Sequence, residues 1–238
     1  MKAMLFAAGL GTRLKPFTDN NPKALARVNN KTLLEHNIRY LQRYGIANVV
    51  INVHHFADKI EHELAANNNF GSTITISDER DEILETGGGL KKAAIHFAGE
   101  ESIIVMNVDA LTNLDLGKMI NAHHNSKKLA TLAVIQRPSG RHLLFDNDMT
   151  LCGWQNNSTG EQRISRNISP LFPYAFSGIQ VISQAMLQNI PFSGKFSLID
   201  VYLHLAKENT IKGYDHTGDI FIDVGKPDSL EKAAYLFP

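Results

Sequence analysis

Cations crowd into and just after a glycine-rich turn in this chain: Ala8, Gly9, Leu10, Gly11 and Thr12 lead directly to Arg13, with Lys15 close behind and Lys23 following Pro22. Glycine lets backbone approach a ligand closely and aims successive N–H donors at it, a surface suited to phosphate oxygens that the neighbouring cations would neutralise. Two carboxylates complete the pattern, Asp109 in IIVMNVDA and Asp223 in IFIDVG, each closing an apolar run. Either alone suits a helix cap or a turn. Together, facing a phosphate loop, they suit a hard divalent cation bridging phosphate oxygens.

Other residues weigh less. The His pairs 54/55 and 123/124 lack convincing metal spacing. Arg137 and Arg141 flank a Pro-Ser-Gly turn, where they could meet an acidic or phosphorylated acceptor or simply be solvated.

The elements that must position these groups follow from the apolar pattern. Ala3 to Ala7 forms a buried strand, because apolar residues run on without alternation and turn residues follow at once. A loop of roughly 20 residues inside a compact domain is usually functional or disordered, and the buried-type Leu25 and Val28 argue against disorder. Thr32 and Glu35 have capping-box spacing, and Leu33, Leu34, Ile38 and Leu41 keep helical period up to Gly45. Strands at 48–53, 72–77 and 102–107 alternate with a helix over 57–66 and another begun by the glycine run of GGGLKKAAIHF. This order predicts a parallel, doubly wound sheet with its site at the C-terminal ends of the strands, where AAGLGTR and NVD both fall.

Past residue 126 the spacing changes. LATLAVI, LLFD, NDMTLCGW, 176–182 and 220–224 suit strands, 197–208 and 228–234 suit helices, and the polar run over 155–167 suits a mobile loop. One domain is expected over 1–238, with about 1–125 binding nucleotide and about 126–238 forming an acceptor lobe that carries the second metal acid.

Composition bounds the partners. The chain has 238 residues, enough for one large α/β domain, and its 24 basic and 24 acidic side chains cancel. No net field draws it to nucleic acid or an anionic membrane. The lone Cys152 suits a reducing compartment, so a cytoplasmic location is expected. The first apolar run breaks at Gly9, too early for a signal peptide, and no stretch is long enough to span a bilayer.

Two nucleotide-binding patterns fail. A dinucleotide fingerprint needs a third glycine where Leu14 stands, and an acid where the second strand ends in Asn52. A P-loop needs a Gly-Lys-Ser/Thr triplet that the turn lacks.

Taken together, Gly9-Leu10-Gly11-Thr12-Arg13-Leu14, Pro22-Lys23, Asp109 and Asp223-Val224-Gly225 resemble the sugar-1-phosphate nucleotidyltransferases. LETGGGL at 84–90 is most similar to the N-acetylmuramate-1-phosphate uridylyltransferase branch. Val108 stands where relatives usually have glycine, and RPSGRHLLFD departs from that branch. The resemblance implies a Rossmann-like doubly wound mixed sheet of GT-A type and a role in nucleotide-sugar and cell-wall precursor synthesis. It further implies attack by a sugar-1-phosphate on the α-phosphorus of a nucleoside triphosphate, with UTP expected over GTP.

By the same resemblance, Arg13 holds the β- and γ-phosphates, Lys23 meets the α-phosphate and sugar phosphate, and Asp109 and Asp223 ligate Mg2+. Ala8, Gly9, Gly11 and Thr12 present backbone to base and phosphates, and Glu85, Thr86, Gly87 and Gly88 line base and ribose. Asn107, Gly178 and Asp200 are candidates for the acceptor's hydroxyls. A monomer or small homo-oligomer is expected. The alternatives are a mannose-1-phosphate guanylyltransferase or related transferase, and a silent nucleotide-sugar-binding module, which retention of both metal-type acids disfavours.

Overall fold

A computed structural model describes residues 1–125 and 128–237. β1 (Lys2–Phe6) leads into short 3-10 turns and a two-strand clasp, β2 (Arg27–Val28) with β3 (Lys31–Thr32). There follow α1 (Leu33–Gln42), β4 (Asn48–Val53), α2 (Ala57–Ala66), β5 (Thr73–Asp78), α3 (Glu85–Ala93), β6 (Ser102–Asn107), β7 (Ala110–Thr112) and α4 (Leu116–His124). The second half supplies β8 (Ala130–Ile135), β9 (Arg141–Phe145), β10 (Leu151–Asn156), β11 (Gln162–Ile164), β12 (Phe172–Ser183), α5 (Gln184–Gln188), α6 (Leu198–Leu205), β13 (Ile211–Asp215), β14 (Phe221–Asp223) and α7 (Pro227–Leu236).

Ten of the described strands form one sheet. β6, β1, β4 and β5 lie side by side in parallel, as the alternation of strands and helices requires. The sheet is mixed, not wholly parallel. The long β12 runs antiparallel to β6 and to β8, and its first residues leave that sheet plane to pair with β9, so both halves of the chain share one framework.

Alternate residues of the parallel strands feed opposite cores, as pleating demands. Leu5, Ile51 and Met106 meet Leu34, Ile38, Ile60 and Met119 of α1, α2 and α4 on one face. Met4, Val50 and Val105 meet Leu90, Met186, Val201 and Tyr202 of α3, α5 and α6 on the other. Strands buried on both faces explain the unbroken apolar runs of the sequence. α1 starts where expected, with Thr32 Oγ1 accepting from the Glu35 N–H at 3.1 Å.

A third cluster matters most for function. Leu14 of the glycine-rich loop packs with Val28 and Leu33, with Leu111 of β7, and with Val224 and Ala233 from the C-terminal end of the chain. It ties the loop to the strand that carries Asp223.

The 155–167 run departs from expectation. Gln162–Ile164 pairs antiparallel with β10, closing a hairpin through Gly160 at φ +74°. β11 is exposed throughout, so its polar composition reflects a solvated sheet edge. No helix among the described residues is long and apolar enough to cross a membrane.

Candidate active site

The site opens where the strand order turns back on itself, between the C-terminal ends of β1 and β6. A cleft of about 390 Å³ lies there, and its wall includes Ala8, Gly9, Gly11, Thr12, Arg13, Lys23, Glu85, Thr86, Asn107 and Asp109. These residues come from four separate stretches of the chain.

Gly11 adopts φ +63°, and a Cβ there would sit 3.0 Å from both Lys23 Cβ and Thr18 Cγ2. Glycine thus satisfies both the turn and the close approach of the Lys23 segment. The Gly11 carbonyl accepts from Thr18 Oγ1 at 3.0 Å and from the Leu14 N–H at 2.8 Å, which closes the turn behind Arg13. Lys23, just after Pro22, donates from Nζ to Asp109 Oδ2 in a mostly buried ion pair.

The loop after β6 is held from behind. Asn37, buried in α1, donates to the Val108 carbonyl at 2.8 Å, and the Val224 N–H donates to the Asp109 carbonyl at 2.9 Å. β14 pairs with β7 so that Asp223 stands opposite Ala110, next in sequence to Asp109. A Cβ placed on Gly225 would lie 2.8 Å from Asp223 Oδ1 and 3.2 Å from Arg13 Nη2, so glycine leaves room for acid and guanidinium to converge.

Burial raises the Asp223 pKa above the ordinary carboxylate value and the Asp109 charge raises it further, while Lys23, Arg13 and Arg137 act in the opposite sense. Two like charges held together in this way suit a divalent cation. Among the described residues no cluster of three or more His, Cys, Asp or Glu side chains converges.

Other expected residues lie elsewhere. The Gly87 and Gly88 N–H groups both donate to the Phe196 carbonyl, at 2.9 and 3.3 Å. A Cβ on Gly87 would lie 2.4 Å from the Phe196 ring, and one on Gly88 would lie 2.3 Å from the Gly194 carbonyl oxygen. The run faces protein, and it seats α3 against the 194–196 segment. Gly178 backs onto Asn107, whose Nδ2 would be 2.7 Å from an added Cβ. Asp200 pairs with Arg163 of β11 at 2.7 Å and is not in the cleft wall.

The cleft also contains residues that the motifs do not mark. Asn52 lies one residue before the end of β4 and Glu79 follows β5, and both line it. Asn52 Oδ1 accepts from the Ala7 N–H at 2.8 Å, and its Nδ2 donates to Glu79 Oε1 at 2.8 Å. Glu79 is buried, and burial raises its pKa although the Asn52 bond opposes the rise. This relay links the glycine-rich loop to the approach to α3. Strand-end position marks both residues in the sequence, yet Asn52 there serves only to count against a dinucleotide site.

Residues 2–145 match the family model described as Nucleotidyl transferase. The chain belongs to that family. This nucleotidyltransferase is 30% identical to the N-acetylmuramate alpha-1-phosphate uridylyltransferase of Caulobacter vibrioides, over 95% of its own length and 93% of the relative's. It is also 30% identical to the D-glycero-alpha-D-manno-heptose 1-phosphate guanylyltransferase of Aneurinibacillus thermoaerophilus, covering 98% and 96%. Its fold matches the crystal structure of HddC from Yersinia pseudotuberculosis complexed with GMP-PN, with TM-score 0.80, 24% identity and coverage of 100% and 99%.

Proposed function

We propose that this enzyme transfers a uridylyl group from UTP to N-acetylmuramate 1-phosphate, releasing pyrophosphate. The observation that carries the reading is the convergence of Arg13, Lys23 and Asp109 on one cleft walled by the glycine-rich loop, with Asp223 meeting Arg13 beside Gly225 at its edge. That set suits two polyanionic substrates. Their repulsion is the first obstacle to reaction, and the attacking sugar-phosphate oxygen is already ionised at neutral pH, so cations do more than a proton-accepting base would.

In this reading Arg13 binds the β- and γ-phosphates and steadies the leaving pyrophosphate. Lys23, oriented by Asp109, meets the α-phosphate as charge develops. Asp109 and Asp223 would hold Mg2+, which would neutralise phosphate charge. Ala8, Gly9, Gly11 and Thr12 offer backbone to the nucleotide, and Glu85 and Thr86 meet ribose and base. Gly87 and Gly88 act at one remove, by seating α3. Asn107, backed by Gly178, faces the acceptor's hydroxyls, and the strands after residue 129 build the acceptor lobe.

The muramate-utilising relative and LETGGGL support the choice of base and acceptor. The guanylyltransferase relative, equally similar in sequence, supplies the competing reading. Competition between UTP and GTP over one pool of N-acetylmuramate 1-phosphate, followed by pyrophosphate release, tests it. Higher kcat/KM for guanylyl transfer would reverse the base assignment, and absence of any turnover would leave a binding module.

A further inference from the structure

We propose that Arg137 recognises a carboxylate on the acceptor sugar, an assignment that rests on the acceptor reading above. Arg137 follows β8 at the edge of the acceptor lobe, and its guanidinium carbon lies 5.2 Å from the centroid of the Phe221 ring. Phe221 stands two residues before Asp223 on β14, so the two side chains share one face of that strand. Arg137 therefore packs on the side chain that neighbours Asp223 along that face.

The surroundings leave Arg137 with unused capacity. Its Nε is buried without a hydrogen-bond partner. The backbone beneath it is fixed, because His142 Nε2 donates to the Arg137 carbonyl at 3.1 Å while His142 Nδ1 accepts from Asn157 at 2.7 Å. His216 also packs against Phe221, ring centroids 5.9 Å apart, and shares a 2.7 Å hydrogen bond with Ser177 through Nε2. Its Nδ1 is likewise buried and unpartnered, with Asp219 at 3.7 Å. Ser177 precedes Gly178, which backs onto Asn107. The two orphan nitrogens thus belong to side chains that both pack on Phe221.

A buried guanidinium N–H without a partner is costly, and a planar two-oxygen anion matches the guanidinium fork better than any other common group. Arg13 and Lys23 already answer the phosphates of the two substrates. A third cation on the acceptor side answers a third anion, and a muramate carries a carboxylate in addition to its phosphate. Stacking on Phe221 holds the guanidinium plane in place for such a contact.

The test compares N-acetylmuramate 1-phosphate with N-acetylglucosamine 1-phosphate, which lacks the carboxylate-bearing ether, using whichever of UTP and GTP turns over faster. Wild-type enzyme should prefer the acid. Arg137→Met should lose at least about tenfold in kcat/KM on the acid and less than about twofold on the neutral sugar, and Arg137→Lys should recover part of the loss. If the wild type prefers the neutral sugar, or turns over neither, the acceptor reading falls and this assignment falls with it. If the wild type prefers the acid and Arg137→Met keeps that preference, only the assignment to Arg137 falls. Should the methionine variant fail to fold by circular dichroism, the same ratio measured in Arg137→Gln and Arg137→Lys decides.

Discussion

Replacing Glu85 should separate stability from activity. Glu85 opens α3 at φ +60°, in the left-handed region, and it lines the cleft. A side chain in that region costs roughly 1–2 kcal/mol, and glycine removes the strain while adding about 0.4–1 kcal/mol of unfolded-state entropy. Comparing Glu85→Gly with Glu85→Gln isolates this difference, since both variants lose the same first-turn carboxylate and its favourable helix-dipole term. The glycine variant should be more stable than the glutamine variant by about 0.5–1 kcal/mol, which for a chain of this size is a melting difference of roughly 1–4 °C. Activity should move the other way from wild type. If the carboxylate accepts from ribose hydroxyls, its removal forfeits a charged hydrogen bond worth roughly 1.5–3 kcal/mol, or about 10- to 100-fold in kcat/KM for the triphosphate. Differential scanning calorimetry and pyrophosphate release, run with UTP and 2′-deoxy-UTP, measure both effects. The wild-type penalty for the deoxy substrate should shrink in Glu85→Gly. A glycine variant melting at or below the glutamine variant refutes the strain argument, and unchanged kcat/KM in both refutes the ribose contact.

Turnover should cease in excess chelator and in Asp109→Asn and Asp223→Asn, with the fold intact by circular dichroism; full activity without free divalent metal would count against the paired acids. Because the folded state raises the Asp223 pKa, its charge destabilises the fold at neutral pH, and the penalty is relieved as pH falls through the folded value toward the ordinary carboxylate range. Asp223→Asn should therefore melt no lower than wild type at pH 7, and the two should draw together toward about pH 4. Lys23→Ala should cost about 2.7–4 kcal/mol, chiefly in kcat, whereas Arg13→Ala should damage both triphosphate affinity and rate, as steady-state kinetics will report. Leu14→Ala empties a fully enclosed site between loop and C-terminal helix, and should cost about 2–5 kcal/mol by urea denaturation while lowering activity by loosening Arg13 from Asp223.

The apolar runs that end at Phe6, Val53 and Asn107 were legible as doubly buried strands because a parallel sheet covered on both faces leaves no polar alternation to confuse them. The cations, glycines and acids of the cleft were legible for a related reason: chemistry restricts which residue types can meet phosphate and metal. Less visible were β13 and α4. β13 takes its place by pairing with β8 rather than by a pattern of its own, and the three residues of β7 matter only because β14 comes to lie against them. The glycine run over 87–89 shows the limit from another side. Its composition suits a ligand-facing backbone and a close-packed helix equally well, and the positions of Phe196 and Gly194, more than 100 residues away, fill the space with protein.

The sequence by itself determined the sheet's parallel centre, the strand ends where a site must form and the residue types able to hold phosphates there. Only the tertiary structure decided that Leu14 meets Val224 so that Arg13 reaches Asp223, that Asn52 and Glu79 join the cleft wall, and that Arg137 packs on Phe221, which shares a face of β14 with Asp223. Local patterning is set by covalent neighbours and repeats every two or nearly four residues. Which surfaces then meet depends on the packing of elements far apart in the chain, a choice made by shape and burial that no single segment carries.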